Sequence, residues 1–459
     1  MLYLSALLIL ILSVISMHSL IGVLTLKRIT IPSAFYLTYI FMIFIPAFYV
    51  YEDYAGDARN VYIISVMSVM ITVPLGIFLI NYLCKFKKEE INNYFISPPV
   101  VNSIFNVYPT IFIIVIFSVS FTLFYFSQIP SIPFLDMIRG SDVASLTQSR
   151  EDAFKLLDPR WGGGTYLFYI YLFLRTMVFP ILITITMGFY LYTKKKKWLY
   201  LFLLVLLVGS FYAISQLSRA PIAAIIMRIS IFLLLFYQGK INLKFVIIGF
   251  LLMVSYPLII TITYVEDRTI YEGIEALIFR LSYTPAQDLY YYFEIFPSVH
   301  EYLNGQTLIK PILKLFELDY FYIENYVARY ISPGGLSSAH ANAAFLSNLN
   351  ADFGLIGVFI GTPIIAMLMQ GIQISLFRKE KNIYNMSIFA FILYAIWVLN
   401  FGSITSVLFV NGVIPIFIFI WLIKIITLLI ISCCFVSRLL RSSCRFLTEL
   451  NKLFPKSYF

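Results

Sequence analysis

The feature that most constrains this chain is a succession of apolar runs, each long enough to cross a hydrocarbon core of about 30 Å as a helix. Hydropathy predicts about eleven spans, at 3–25, 32–51, 61–84, 107–128, 165–192, 198–217, 220–237, 245–265, 355–377, 384–402 and 405–435. The expected fold is therefore all-α: a polytopic integral membrane protein whose one large periplasmic loop, 266–354, folds into short helices. The run at 405–435 carries Gly412 and Pro415. It reads either as one tilted helix or as a re-entrant piece followed by a span.

Composition supports this class. Only 12% of residues are charged and 61% are hydrophobic, where a soluble domain carries about a quarter charged. The formal charge of +10 is not a nucleic-acid footprint, because the basic residues sit in short clusters between apolar runs. Lys27 and Arg28, Lys85 to Lys88, Lys194 to Lys197, Lys240 and Lys244, Arg378 to Lys381, and the tail at 436–459 all fall on one face. By the positive-inside rule that face is the cytoplasm, with the C-terminus, and the N-terminus is periplasmic. The opposite face receives the acidic turn Glu52 to Asp57, a smaller loop at 129–163, an abrupt turn at Ser218 and Arg219, and the long loop. A single membrane domain, 1–459, is the simplest organisation. The first run lacks a basic leader and a cleavage site and reads as a retained span.

Cys84, Cys433, Cys434 and Cys444 form no CxxC pair and have no histidine at ligand spacing, so neither a disulfide nor a metal is called for. Signatures for a P-loop, a zinc protease, a nucleophile elbow and a dinucleotide fold are missing, and no cofactor is expected. Glu266 and Asp267, at the end of a span, are a weak carboxylate pair.

The chemistry-bearing residues are few. Arg175 and Arg228 lie well inside predicted spans with no acidic partner in any span. A charge near the bilayer centre costs about 3 kcal/mol on insertion scales, so such residues face a polar cavity and could hold an anion; otherwise they snorkel. Arg219, in Ser218-Arg219-Ala220-Pro221, stands at the membrane edge, where a guanidinium suits a two-point grip on phosphate oxygens. Arg280 offers the same chemistry within an apolar stretch, and Arg329 lies further along the loop. His340, in His340-Ala341-Asn342, is a candidate base, with Asn342 placed to orient it or the acceptor. His300 beside Glu301 reads as a loop contact, and His18 as a satisfied interior residue.

These stretches resemble a family. The span layout with one late outer loop is similar to bacterial oligosaccharide repeat-unit polymerases of O-antigen, capsule and enterobacterial common antigen assembly. Arg175-Thr176-Met177-Val178-Phe179-Pro180 looks like the arginine-aromatic-proline run of a middle span. Ser218-Arg219-Ala220-Pro221 looks like the family's arginine turn. Arg280-Leu281-Ser282-Tyr283-Thr284-Pro285 with Asn304-Gly305-Gln306-Thr307 looks like the start of its large periplasmic loop. The segment from Ser347 to Gly357 looks like the return to the membrane. The long loop departs from the family in being acidic on balance.

The resemblance implies a glycosyltransferase of the inner membrane. It would move a growing glycan from undecaprenyl pyrophosphate to the next lipid-linked repeat unit on the periplasmic side, in lipopolysaccharide, capsule or exopolysaccharide synthesis. Arg219 and Arg280 would stabilise the leaving pyrophosphate, and His340 would take the acceptor proton. Arg175, Arg228, Arg329 and Asn342 would bind substrate. A chain-length regulator and a flippase are the implied protein partners. The His340 segment also looks like that of O-antigen ligases, and a polysaccharide flippase is the alternative from another class.

Overall fold

The computed structural model describes residues 2–25, 28–100, 107–155, 170–218, 220–240, 243–263, 269–316, 318, 320–333, 340–341, 344–410, 412–429 and 432. Among these there is no strand; one isolated parallel bridge joins Val100 to Asn382. The helices are α1 (Leu2–Ile21), α2 (Ile31–Asp53), α3 (Asp57–Leu83), α4 (Lys88–Ile96), α5 (Tyr108–Gln128), α6 (Pro133–Ile138), α7 (Val143–Lys155) and α8 (Ile170–Thr193). They continue with α9 (Lys196–Ile214), α10 (Ala220–Phe236), α11 (Leu243–Thr263), α12 (Ile270–Ile295), α13 (Gln306–Leu315), α14 (Ile323–Ile331), α15 (Phe345–Phe377), α16 (Ile383–Asn400) and α17 (Ser406–Leu429).

The chain is thus an all-α polytopic membrane protein. Among the described residues, 9 helices are long and apolar enough to cross a bilayer: α1, α2, α3, α5, α8, α9, α15, α16 and α17. Helix α10 and the apolar part of α11 are shorter, so every run predicted from hydropathy contains a helix. Helices α8 and α16 are the most buried of the spans and α1 the least, which makes α8 and α16 the centre of the bundle.

Proline explains the irregular turns. Its ring clashes with the carbonyl four residues back and it lacks an N–H, so an α-helix often widens or kinks just before it. The π-helical turn Ile40–Phe44 of α2 precedes Pro46, and Leu174–Val178 of α8 precedes Pro180. A third, Ser406–Val410, opens α17, and Gly412 at φ +83 separates it from the helix that carries Pro415. The described part of this run, Ser406–Leu429, is long and apolar enough to be a single span that opens with a π-turn.

Two elements differ from expectation. In the stretch 266–354 the apolar residues from Glu272 to Phe296 have helical spacing and do form a helix, but with 26 residues α12 is not one of the short helices expected there. A capping box between Thr269 and Glu272 starts it, and its C-terminal half is buried through Ala286, Leu289, Tyr292, Phe293 and Ile295. The helix therefore joins the bundle instead of resting on its mouth: the Tyr62 hydroxyl donates to Ala286 O at 3.0 Å, and Asn350 Nδ2 donates to Tyr292 O at 3.3 Å.

The second difference is at 345–361. The predicted span from 355 is preceded by a further helical segment, and the two are separated by Gly354 at φ 63, ψ −152, a conformation that only glycine adopts without strain. The chain turns back there. A Cβ on Gly357 would lie 2.3 Å from Leu349 O, and one on Gly361 would lie 2.5 Å from Leu349 Cδ2. Glycines four apart thus make the groove into which Leu349 packs, as small residues do between membrane helices. The polar run Ser347, Asn348, Asn350 and Asp352 is buried in this hairpin.

Candidate functional site

The interior site is built on the π-turn of α8. A wide turn re-aims the side chains it carries, and Arg175, 8% exposed, points at the end of α9. Its Nη2 donates to Ala213 O at 3.1 Å and its Nη1 to Gln216 Oε1 at 3.2 Å. Gln216 is itself buried and donates through Nε2 to the Tyr125 hydroxyl at 3.1 Å. The rings of Tyr125, Tyr171 and Tyr212 close around this chain, with centroids 4.6 Å (Tyr125 to Tyr171) and 4.9 Å (Tyr171 to Tyr212) apart. The carbonyls at the end of α9 carry partial negative charge and suit a cation, so part of the role of Arg175 is to cap α9. Its Nε and the Tyr212 hydroxyl are buried and have no hydrogen-bond partner among the described residues. Two donors in low dielectric without acceptors are costly and reactive toward any acceptor that enters.

Arg228 occupies a second interior position. It is 2% exposed on α10, and its guanidinium carbon lies 4.3 Å from the Phe391 ring centroid and 4.5 Å from that of Tyr394, both on α16. Such stacking holds a cation without neutralising it. Among the described residues its Nε also lacks a hydrogen-bond partner, as does the buried Ser387 hydroxyl one turn before Phe391. The broken start of α17 links the two arginines: Gly412 faces Phe391 and Met177, while Val410 O lies 3.0 Å from Thr176 Oγ1. Neither arginine has a carboxylate among its described contacts.

Of the other residues singled out in the sequence, Arg280 and Arg329 lie on helices of the long loop. Arg280 is exposed on α12, one turn before Tyr283, which donates to Asp53 Oδ2 at 2.5 Å. Burial, and then the Asp53 carboxylate, push the Tyr283 phenol above its ordinary range. Around it Tyr54 accepts from Gln287 at 2.7 Å, meets the Tyr291 hydroxyl at 2.9 Å and packs on Tyr290 at 4.4 Å. This gives the mouth a surface of aromatic faces and amide groups beside an exposed arginine. Arg329 is exposed in the last turn of α14, where it complements the helix end. His340 is exposed and adjoins Ala341, whose amide donates to Glu324 O at 3.0 Å. That places it beside the ion pair of Lys310 and Glu324, 2.9 Å long. Arg219, Asn342, Glu266 and Asp267 lie outside the described residues. His300 packs against Phe296, Phe321 and Tyr326, and His18 accepts from Leu24 N at 3.4 Å.

Sequence reasoning missed the partners that make the interior site. Gln216 stands three residues before Arg219, just ahead of the Ser218-Arg219-Ala220-Pro221 turn, yet a lone glutamine at a span end has no distinctive spacing. Phe391 and Tyr394 are indistinguishable in sequence from other aromatic residues of a buried helix. No family model, curated protein or solved structure matches this chain.

Proposed function

We propose that this chain polymerises lipid-linked oligosaccharide repeat units, transferring the growing glycan from undecaprenyl pyrophosphate to the next repeat unit at the outer face of an inner membrane. The observation that carries the reading is that Arg175 and Arg228 are buried cations in the membrane bundle, each with an Nε–H that meets no acceptor among the described residues. Phosphate oxygens of a lipid-borne substrate supply both the acceptors and the missing charge.

In this reading Arg175, with Arg219 just beyond the Gln216 turn, receives the pyrophosphate, and Arg228 holds a further anionic oxygen along the path. The bond between the anomeric carbon and phosphate oxygen breaks as the acceptor oxygen attacks. Arg219 and Arg280 stabilise the charge left on pyrophosphate, which departs on its carrier. His340 takes the proton from the acceptor hydroxyl, while Arg329 and Asn342 position the acceptor. The tyrosine surface beside Arg280 offers ring faces and hydrogen-bonding groups suited to sugars. The test is the length distribution of surface glycan in a strain lacking the protein.

A second reading has its own support. The helix broken at Gly354, with a polar segment folded back into the bundle, is the kind of element that transporters place at their binding sites. A flippase for the same lipid-linked substrate would leave single repeats on the inner leaflet when deleted. An O-antigen ligase shares the transfer chemistry, and its loss leaves polymer on the carrier.

A further inference from the structure

Helix α13 is amphipathic in an inverted sense. Two of its polar residues face protein: Thr307 is buried and donates through N at 3.2 Å and through Oγ1 at 2.5 Å to Asp352, and Lys310 pairs with Glu324 at 2.9 Å. The opposite side carries Ile309, Ile312 and Phe316, which follow the i, i+3, i+7 spacing of one helical face and are 45%, 53% and 67% exposed. Leu318, just past the helix, is 55% exposed. A face of large apolar side chains turned away from the protein is unfavourable in water, at roughly 25 cal/mol for each Å² left wet.

The position of the helix says what covers this face. Its N-terminus is pinned at the hairpin turn of α15: Leu303 N and Asn304 N donate to Ala351 O and Asp352 O at 2.8 and 3.1 Å, and Gly305 packs on the Phe353 ring. From Gly354 the second limb of α15 runs to Phe377, beside which Arg378 bonds Glu90, so the turn stands at the membrane face opposite that ion pair. Phe353, Ile356 and Ile360 begin the exposed apolar stripe of that span, the surface a membrane helix presents to lipid. Helix α13 thus starts beside this end of the stripe, at the level where the bilayer ends.

We propose that α13 lies in the bilayer boundary on this side, with Ile309, Ile312 and Phe316 inserted between headgroups and acyl chains and with Thr307 and Lys310 holding it to the protein. The helix then forms a floor that keeps the outer loop, His340 included, at headgroup height. This inference does not depend on the proposed activity.

The test uses the full chain, with its 4 native cysteines changed to serine, in nanodiscs of phosphatidylcholine and phosphatidylglycerol. Single nitroxide-labelled cysteines are placed at Ile309, Ile312 and Phe316, and at the exposed loop residues Ser298 and Glu301 as references. The expected result is a ratio of oxygen to nickel-chelate accessibility several-fold higher at the three α13 positions than at the references. Equal ratios place the face in water and overturn the proposal. Low accessibility to both reagents means that protein covers the face, and overturns it as well. A negative substitution, Ile312→Asp, supplies an independent check: it should leave the detergent-solubilised protein's melting temperature unchanged while moving a label at Ile309 toward chelate accessibility. A label that does not move contradicts insertion.

Discussion

The Thr176 hydroxyl stands 3.0 Å from the carbonyl of Val410, and this contact joins the π-turn of α8 to the π-turn that opens α17. The same hydroxyl lies 2.8 Å from Leu172 O within its own helix, so the proton is shared between two carbonyls. On either side of the seam stand Arg175, bonded to Gln216, and Met177, which touches Gly412. Thr176→Val keeps the shape and removes the link. It should cost about 1 kcal/mol of stability, read as thermal unfolding in detergent. It should also shorten the glycan ladder more than that loss explains, because Arg175 is no longer fixed.

The hairpin at Gly354 yields a packing prediction. Gly357→Ala places a methyl carbon 2.3 Å from Leu349 O, a main-chain atom that cannot step aside cheaply. The expected destabilisation is about 1–3 kcal/mol or more. Gly371→Ala, whose Cβ would meet nothing nearer than Ile80 Cγ1 at 4.0 Å, should be close to neutral. Similar melting temperatures for the two variants would rule out the close helix contact.

Asp352 is a buried carboxylate that could be mistaken for a catalytic acid, but its contacts are those of a cap. It accepts from the amide and hydroxyl of Thr307 in the first turn of α13. Asp352→Asn and Thr307→Val should each cost about 1–3 kcal/mol, and the double variant less than their sum, because both remove one interaction. Additive costs measured by chemical denaturation would show that the two residues act separately.

Lys381, between α15 and α16, provides a pH test outside the spans. It donates to Phe95 O at 2.9 Å and Ser97 O at 2.8 Å, at the end of α4, and burial holds its pKa down to about 8, below the ordinary 10.5. Between those two values the unfolded chain binds more protons than the folded one, so stability rises with pH across that window. The burial penalty is fully present below the folded value and absent above the unfolded one. The melting-temperature difference between wild type and Lys381→Met should therefore grow in favour of wild type as pH rises through this range. A flat difference would mean that the lysine is solvated.

What was legible in the sequence follows from what is local. Apolar runs declare their helices because length and hydropathy alone decide insertion. Arg175 and Arg228 stood out because a charge in such a run needs a reason. The hairpin at 345–361 was not legible as a re-entrant element: Ser347, Asn348, Asn350 and Asp352 read as an outer loop, and only partners elsewhere in the chain, such as Tyr292 for Asn350, make their burial affordable. The four-residue spacing of Gly357 and Gly361 was the available signal. The helical spacing of apolar residues from Glu272 to Phe296 did announce α12; its packing into the bundle was not legible, because that rests on distant partners such as Tyr62 for Ala286. Gln216 lies 41 residues from Arg175, a pairing that no spacing rule exposes.

The most direct measurement is a gel profile of surface glycan together with the lipid-linked pool, in a strain lacking this protein and in that strain complemented with wild type, Arg175→Lys or His340→Ala. The expected result is surface lipid bearing a single repeat unit in the deletion, long chains restored by wild type, and no long chains with Arg175→Lys present in the membrane at normal level, since an ammonium cannot reproduce the planar fork. The His340→Ala lane decides the proposed base. Polymer accumulating on the carrier in the deletion, or single repeats trapped on the cytoplasmic leaflet, would contradict polymerisation and assign the chain to ligation or to transport.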